Sequence, residues 1–136
     1  MDNSKRSFNF RKQTRALLSI RPPFAEAILR GEKRYEFRRT MFARQVDVIL
    51  MYVTAPVQRV VAEFDVASII SEPLSELWHH TREYAGINED LFYGYFDGVD
   101  RGHAIAIGEV RVYDSPFCPV EHLGLRPPQS FVYLDA

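Results

Sequence analysis

The sequence has one cysteine and no long apolar run. Cys118 has no second cysteine with which to form a disulfide within the chain. The stretch 46–53 is interrupted by Asp47 and is far shorter than the roughly 20 residues of a membrane span. No apolar segment of the secretory type follows the first residues. We therefore expect a cytoplasmic protein that makes no use of the membrane.

Patterns typical of metal sites and phosphate loops are also missing. His79 and His80 are adjacent, so on a helix their side chains would point about 100° apart and would not readily bind one metal ion. Gly31 is isolated and is not part of a glycine-rich phosphate loop. Cys118 is better explained as a structural thiol than as a nucleophile. The sequence predicts no metal and no cofactor.

The composition is typical of one folded domain. Apolar residues make up 46% and charged residues 26% of the 136 positions, which argues against disorder. A chain of this length can bury roughly two-thirds of the surface that its unfolded form exposes. We predict a flexible basic arm at residues 1–15 and a single domain at residues 16–136.

Charge is distributed unevenly along the chain, although the net charge is −1. Residues 1–46 contain twelve lysines and arginines and four acidic residues, whereas residues 47–136 contain five and fourteen. If the basic part forms one face, it would attract a polyanion such as RNA. The alternative is that the two parts pair with each other in the fold.

Apolar periodicity predicts an α+β protein. Long β-prone segments are separated by few helices, which favours a small, mostly antiparallel β-barrel with flanking helices. The strands on either side of Pro56 are expected to pair as neighbours. The predicted order is a strand at 16–20, a helix ending at Gly31, strands at 33–38, 46–54 and 59–70, helices at 73–84 and 88–98, and strands at 103–112 and 130–134.

The short strand that follows Gly31 alternates between apolar and charged residues. Tyr35 and Phe37 alternate with Arg34, Glu36 and Arg38, which is the two-residue period of a half-buried strand. The three charged side chains are therefore predicted to share one face.

This segment also contains the motif Gly31-x-Lys33-x-x-Glu36-x-Arg38. The motif resembles the Gly-x-Lys-x-x-(Glu or Thr)-x-Arg pattern of the ASCH family, a branch of the PUA-like superfamily. Further resemblance lies at residues 18–22, 54–57, 77–78 and 128–131, so that about residues 16–134 are covered. The resemblance implies a PUA-like β-barrel with a cleft beside the motif that binds RNA or a modified nucleoside.

The motif side chains suit an anionic ligand. Arg38 can donate two parallel hydrogen bonds to a phosphate or a base edge, and Lys33 acts as a point charge. Arg21 and the basic arm would hold the flanking backbone. The alternative for Glu36 and Arg38 is a surface ion pair of little energetic value. For stacking on a base we select two aromatic residues of the helical region, Trp78 and Tyr84.

The resemblance also leaves catalysis open. Some relatives are amidohydrolases that act on N4-acetylcytidine through a Lys, a Thr and a distant Glu, and others are ribonucleases. Lys33 matches the Lys, Glu36 stands in the place of the Thr, and Glu83 matches the Glu only loosely. A carboxylate does not replace a hydroxyl nucleophile, so a metal-independent hydrolase would need Glu36 or Glu83 as a general base that activates water. A protein-interaction module that uses the acidic part is a third alternative. The sequence does not specify the oligomeric state.

Overall fold

Six strands form one mixed sheet in the computed structural model, which describes residues 13–134. The strands are β1 (Arg15–Ile20), β2 (Tyr35–Arg38), β3 (Val48–Val53), β4 (Arg59–Pro73), β5 (Arg101–Phe117) and β6 (Phe131–Tyr133). The helices are α1 (Pro22–Leu29), α2 (Leu74–Thr81), α3 (Glu89–Tyr95) and α4 (Pro119–Leu123), and a 3₁₀ turn at Arg82–Tyr84 follows α2.

The strand order is β2-β5-β4-β3-β1-β6. In the described sheet β1 runs parallel to β3, and the other neighbours are antiparallel. The predicted pairing across Pro56 is confirmed, because Val48 lies opposite Asp65 and Val53 opposite Arg59. The expected α+β class with a mostly antiparallel, barrel-like sheet is also confirmed.

The sheet curls into a half-barrel. The register of β4 against β5 shifts at three places between Val60 and Ser68, and such irregularities bend a strand and increase its twist. The two edge strands, β2 and β6, are thereby brought together. The Arg38 guanidinium donates a hydrogen bond to the Ser130 hydroxyl, and the Phe42 ring lies 4.8 Å from that of Phe131. Side chains therefore close the gap that the strand ladder leaves open.

Three apolar clusters stabilise this arrangement. One lies against α1 and contains Leu18, Ile49 and Phe64. A second, built around Phe37 and Phe92, packs α2 and α3 against the sheet. The third covers the opposite face of β3 through Leu50 and its neighbours. Because β3 is covered on both faces, all six of its residues are buried.

Helix ends follow local signals. Asn88 caps the start of α3, since its side chain accepts a hydrogen bond from the Leu91 N–H at 2.9 Å. Helix α4 lies in the proline-rich segment 116–128, for which we predicted no helix. It begins at Pro119 and ends before Gly124, whose φ of 66° favours glycine.

Two further features concern the chain as a whole. No helix of residues 13–134 has the length and hydrophobicity needed to cross a lipid bilayer. Residues 1–12 of the predicted arm lie outside the described residues, and β1 begins at Arg15. Just before it, the Thr14 N–H donates a hydrogen bond to the Asp47 carboxylate at 2.9 Å.

Candidate functional site

A cavity of about 740 Å³ opens where the two sheet edges approach each other. Its walls come from the carboxyl end of β1, from β2, from α3 and from the segment that precedes β6. Three basic and two acidic side chains line it: Arg21, Lys33, Arg38, Glu36 and Asp90. The motif therefore borders a concave site, as the resemblance implied.

Lys33 is a buried cation in the wall of this cavity. The residue is only 3% exposed, and its Nζ donates a hydrogen bond to the Ala85 carbonyl at 2.8 Å. The same Nζ lies 4.8 Å from the Phe37 ring centroid and 5.5 Å from that of Phe24, where the negative ring faces attract it. Removal from water lowers the pKa of Lys33, and the negative charge of Glu36 opposes that shift.

Gly86 makes room for the lysine. A Cβ at this position would lie 2.5 Å from the Lys33 Cβ and 2.6 Å from its Cγ. The glycine also has a φ of 72°, which L side chains rarely adopt. The stem of Lys33 consequently packs directly on the Gly86 backbone, which directs the ammonium group to Ala85.

Glu36 and Arg38 form an ion pair on the same wall. The Arg38 Nη1 lies 3.3 Å from the Glu36 Oε2, and the two side chains are 13% and 11% exposed. Strand alternation directs both into the cavity, while Phe37 between them enters the core. The ion pair that we considered as an alternative thus forms, but it is largely buried and not a surface pair.

The serine-containing segment before β6 forms the facing wall. Ser19 holds it to the end of β1, since its hydroxyl donates to the Pro128 carbonyl at 2.5 Å and its N–H donates to the Ser130 carbonyl at 3.1 Å. Arg38 reaches the Ser130 hydroxyl from the opposite edge. Gln129 and Ser130 line the cavity, and the sequence analysis did not select them.

Tyr95 is a site residue that the sequence analysis missed. The apolar residues of α3 and its C-terminal end include Leu91, Phe92, Tyr95 and Phe96. Only Phe92 and Phe96 are buried, whereas Leu91 and Tyr95 line the cavity. Burial raises the pKa of the Tyr95 phenol, which also lies within the electrostatic reach of Arg38 and Glu36. The signal was available, because α3 carries two parallel apolar stripes and a short helix buries only one.

The other predicted residues divide into two groups. Arg21 lines the cavity at the start of α1, where its carbonyl accepts hydrogen bonds from the N–H groups of Phe24 and Ala25.

The described residues that line the cavity do not include Glu83, Trp78 or Tyr84. Glu83 is exposed in the 3₁₀ turn, and Trp78 packs 5.0 Å from Phe92 in the second cluster. Tyr84 lies outside the cavity, against Arg34.

Potential metal ligands do not gather at this site. Within residues 13–134 no group of three or more His, Cys, Asp or Glu side chains is arranged to hold a metal ion. Buried side-chain nitrogen and oxygen atoms of the described residues all have hydrogen-bond partners. The chemistry that the cavity presents is therefore that of its ammonium, guanidinium, carboxylate and hydroxyl groups.

The fold and the cavity define a small α+β domain in which a curled sheet presents buried charges at an opening between its edges. This chain belongs to the ASCH domain family, whose model matches residues 18–117. The match confirms the resemblance seen in the Gly31–Arg38 motif.

Similar proteins come from two bacteria. A large ribosomal subunit protein of Ureaplasma parvum is 29% identical over 119 residues, which are 87% of this chain but 38% of that protein. An ASCH domain-containing ribonuclease of Zymomonas mobilis is 28% identical, covering 88% of this chain and 83% of the relative. The crystal structure of ASCH from Zymomonas mobilis superimposes with a TM-score of 0.80 at 27% identity, covering 89% of this chain and 87% of that one.

Proposed function

We propose that this protein binds single-stranded RNA by taking one nucleotide into the cavity. One observation carries the proposal: a buried ammonium group and a buried arginine–carboxylate pair occupy a single wall of an open cavity. Removing charges from water is costly, so a fold retains them at such a place when they serve a ligand. The relative named as a ribonuclease, most of which this chain covers, supports RNA as that ligand.

The charge of the lining suits a phosphodiester. Arg21, Lys33 and Arg38 outnumber Glu36 and Asp90 by one positive charge. Each phosphodiester of RNA carries one negative charge at neutral pH, and arginine binds phosphate oxygens through paired hydrogen bonds. Arg38 uses one nitrogen toward Glu36 and another toward Ser130, so part of its donor set remains for a ligand.

Size and shape also support a nucleotide. A volume of about 740 Å³ lies within the usual range for sites that enclose small organic ligands. Tyr95 and Leu91 supply flat and apolar surface at the rim, against which a base can stack. The Glu36 carboxylate is positioned to accept an N–H from a base edge.

Binding can be tested with nucleoside monophosphates and short RNA. We expect Arg38→Ala and Lys33→Ala to lower the affinity for both kinds of ligand roughly tenfold or more, since each substitution removes a charged hydrogen-bond donor. Arg59→Ala is a matched control, because Arg59 is exposed, does not line the cavity and donates its side-chain hydrogen bond to the Gln58 carbonyl. Unchanged affinity in the two cavity variants would contradict the proposal.

Metal-independent cleavage of RNA is the second candidate, favoured by the presence of Lys33 and Glu36 in the lining of one cavity and by the ribonuclease relative. Glu36 would take the proton of a ribose 2′-hydroxyl, whose oxygen attacks the adjacent phosphorus. The bond to the 5′-oxygen of the next nucleotide breaks as Lys33 protonates that oxygen. The products are a 2′,3′-cyclic phosphate and a 5′-hydroxyl. The lowered pKa of Lys33 makes it a better acid for this step.

Glu36→Gln separates the two functions. The amide keeps the shape of the side chain and one acceptor oxygen but removes the basicity. For binding alone, we expect a loss of about 1–2 kcal/mol, the scale of one charge-assisted hydrogen bond. For catalysis, we expect a fall in rate of two or more orders of magnitude, measured as cyclic-phosphate product formed in EDTA. Cleavage that survives both Glu36→Gln and Lys33→Ala would exclude this mechanism.

The amidohydrolase alternative has weaker support. It needs Glu36 or Glu83 as the general base beside Lys33, and Glu83 is exposed and does not line the cavity, so only Glu36 remains for that role. Acetate release from N4-acetylcytidine by the purified protein, abolished by Lys33→Ala, would favour this alternative over RNA cleavage.

A further inference from the structure

Arg34 and Tyr84 form an exposed stack next to the cavity. The Arg34 Cζ lies 4.1 Å from the Tyr84 ring centroid. The Arg34 N–H also donates a hydrogen bond to the Tyr84 carbonyl at 2.8 Å. A backbone bond and a stacking contact thus fix the two residues relative to each other, so their outer surface is preorganised.

We infer that this stack is a second subsite, which binds the RNA nucleotide adjacent to the one in the cavity. The inference rests on the proposed function and deepens it. It implies that the ligand is an RNA chain of at least two nucleotides and not a free nucleoside.

The stack is available to a ligand. Arg34 is exposed, Tyr84 is 37% exposed, and no carboxylate of the described residues forms a salt bridge with Arg34. Arg30 nearby differs, since it pairs with Glu32 at 3.0 Å and with Glu26 at 3.9 Å. An unpaired guanidinium stacked on a ring offers one positive charge and one flat face.

The position of the Arg34–Tyr84 stack in the chain also suits the nucleotide that follows the one in the cavity. Lys33 and Arg34 are consecutive, and so are the residues that they contact: Lys33 binds the Ala85 carbonyl and Arg34 binds Tyr84. Consecutive Cα atoms are about 3.8 Å apart, so the stack begins one residue from the cavity wall. A chain leaving the cavity past Lys33 would reach it with the next nucleotide.

The chemistry matches single-stranded RNA. Unstacked bases bind to aromatic rings and to guanidinium planes, and a cation beside the ring neutralises the backbone. Such contacts tolerate any base, because every base has a π face. The stack would therefore add affinity for an RNA chain without selecting its sequence.

The test compares hexauridylate and hexaadenylate with uridine and adenosine monophosphates in fluorescence-anisotropy competition. We expect the hexanucleotides to bind more tightly. Tyr84→Ala should weaken their binding roughly tenfold, which is the scale of one stacked base, and should leave the monophosphates unchanged. Tyr84→Phe, which keeps the ring, should retain the affinity. Arg34→Gln should lower the slope of log affinity against log salt by about 1 for the hexanucleotides.

Tyr93→Ala is the matched control, because Tyr93 is 36% exposed and does not line the cavity. It should leave hexanucleotide affinity unchanged. Equal loss of monophosphate and hexanucleotide binding in Tyr84→Ala would overturn the inference, since the stack would then only support the cavity. Hexanucleotides that bind no better than monophosphates would overturn it while the proposed function stands. If none of the four probes binds, the proposed function fails and the inference fails with it.

Discussion

Two arginine-centred charge clusters lie in different surroundings. The cavity cluster consists of Lys33, Glu36 and Arg38, and the outer cluster consists of Arg111, Glu63, Asp65 and Glu109 on β4 and β5. Arg111 lies 2.7 Å from both Glu63 and Asp65 and 3.4 Å from Glu109. Its side chain is 37% exposed. Arg38 has one carboxylate at 3.3 Å and is 13% exposed.

The number of partners separates a structural arginine from a binding arginine. Hydrogen bonds to Asp65 and Glu63 raise the pKa of Arg111 further above its usual range, and each of its three nitrogens donates to a carboxylate. Arg38 is shielded from water, has fewer partners and faces a cavity. Ion pairs that are exposed to water contribute little to the stability of the fold. Incompletely paired charges in a cavity shielded from water interact strongly with a charged ligand. The comparison therefore supports the cavity cluster, and not the outer cluster, as the proposed binding site.

One glycine packs against each cluster: Gly86 against Lys33 and Gly108 against Asp65. We expect replacement by alanine to destabilise the fold to different extents at the two positions. Gly86→Ala places a Cβ 2.5 Å from the Lys33 stem at a positive φ, whereas Gly108→Ala places one 3.2 Å from the Asp65 Cβ at an ordinary φ. We expect Gly86→Ala to lower the free energy of unfolding by about 3 kcal/mol and Gly108→Ala by about 1 kcal/mol or less. Urea unfolding measures both. Equal costs would mean that Lys33 moves aside freely.

Arginine removal should affect RNA binding in one cluster only. Arg38→Ala should weaken the binding of a short single-stranded RNA by about 2 kcal/mol, or roughly 30-fold. Arg111→Ala should change the affinity less than twofold, because its guanidinium is occupied by three carboxylates. A comparable loss in Arg111→Ala would remove the distinction drawn here.

We expect the free energy of unfolding to increase with pH in the alkaline range because Lys33 is buried. Its pKa in the folded protein is lowered, chiefly by desolvation, from about 10.4 in the unfolded chain. The cost of burying the charged lysine is therefore complete below the folded pKa and disappears as pH rises toward 10.4. Relative to Lys33→Met, the wild type should gain about 1.4 kcal/mol for each unit by which the pKa is lowered.

Arg111→Met is the control for that experiment. Arginine does not titrate in this range, so the difference from wild type should stay constant between pH 7 and 10. A constant difference for Lys33→Met as well would mean that the Lys33 ammonium is well solvated, contrary to the buried position described above.

The smallest effect concerns the outer cluster itself. Arg111→Met should lower the free energy of unfolding by less than about 1 kcal/mol, because exposed ion pairs are screened by water and salt. The remaining effect should shrink further in 1 M NaCl. A loss of several kcal/mol in thermal unfolding would show that the outer cluster is effectively buried.

The described ion pairs also bear on the uneven distribution of charge along the sequence. The described ion pairs fall within each part of the chain: Arg30 and Arg38 pair with acids of the first part, and Arg111 pairs with acids of the second. The alternative in which the two parts neutralise each other thus gains no support from these pairs of the described residues.

Local patterns were enough to predict several elements. Alternation correctly placed Glu36 and Arg38 on one face, whereas Arg34, which was predicted to share it, precedes β2 and stacks on Tyr84. The helix predicted at 88–98 is α3, which begins at Glu89. The strand predicted at 46–54 is β3. Each of these features depends on neighbours in sequence, because strand and helix periods and caps act over four residues or fewer.

The cavity depended on contacts between distant residues. Arg38 meets Ser130 across 92 positions, Ser19 meets Pro128 across 109, and Lys33 meets Ala85 across 52. No periodicity in one segment encodes such meetings, since they follow from the curling of the sheet and the packing of α2 and α3. The same packing turned Trp78 toward Phe92 and Tyr95 toward the cavity. On a short amphipathic helix two stripes compete for one core, and only the tertiary neighbours select which stripe is buried.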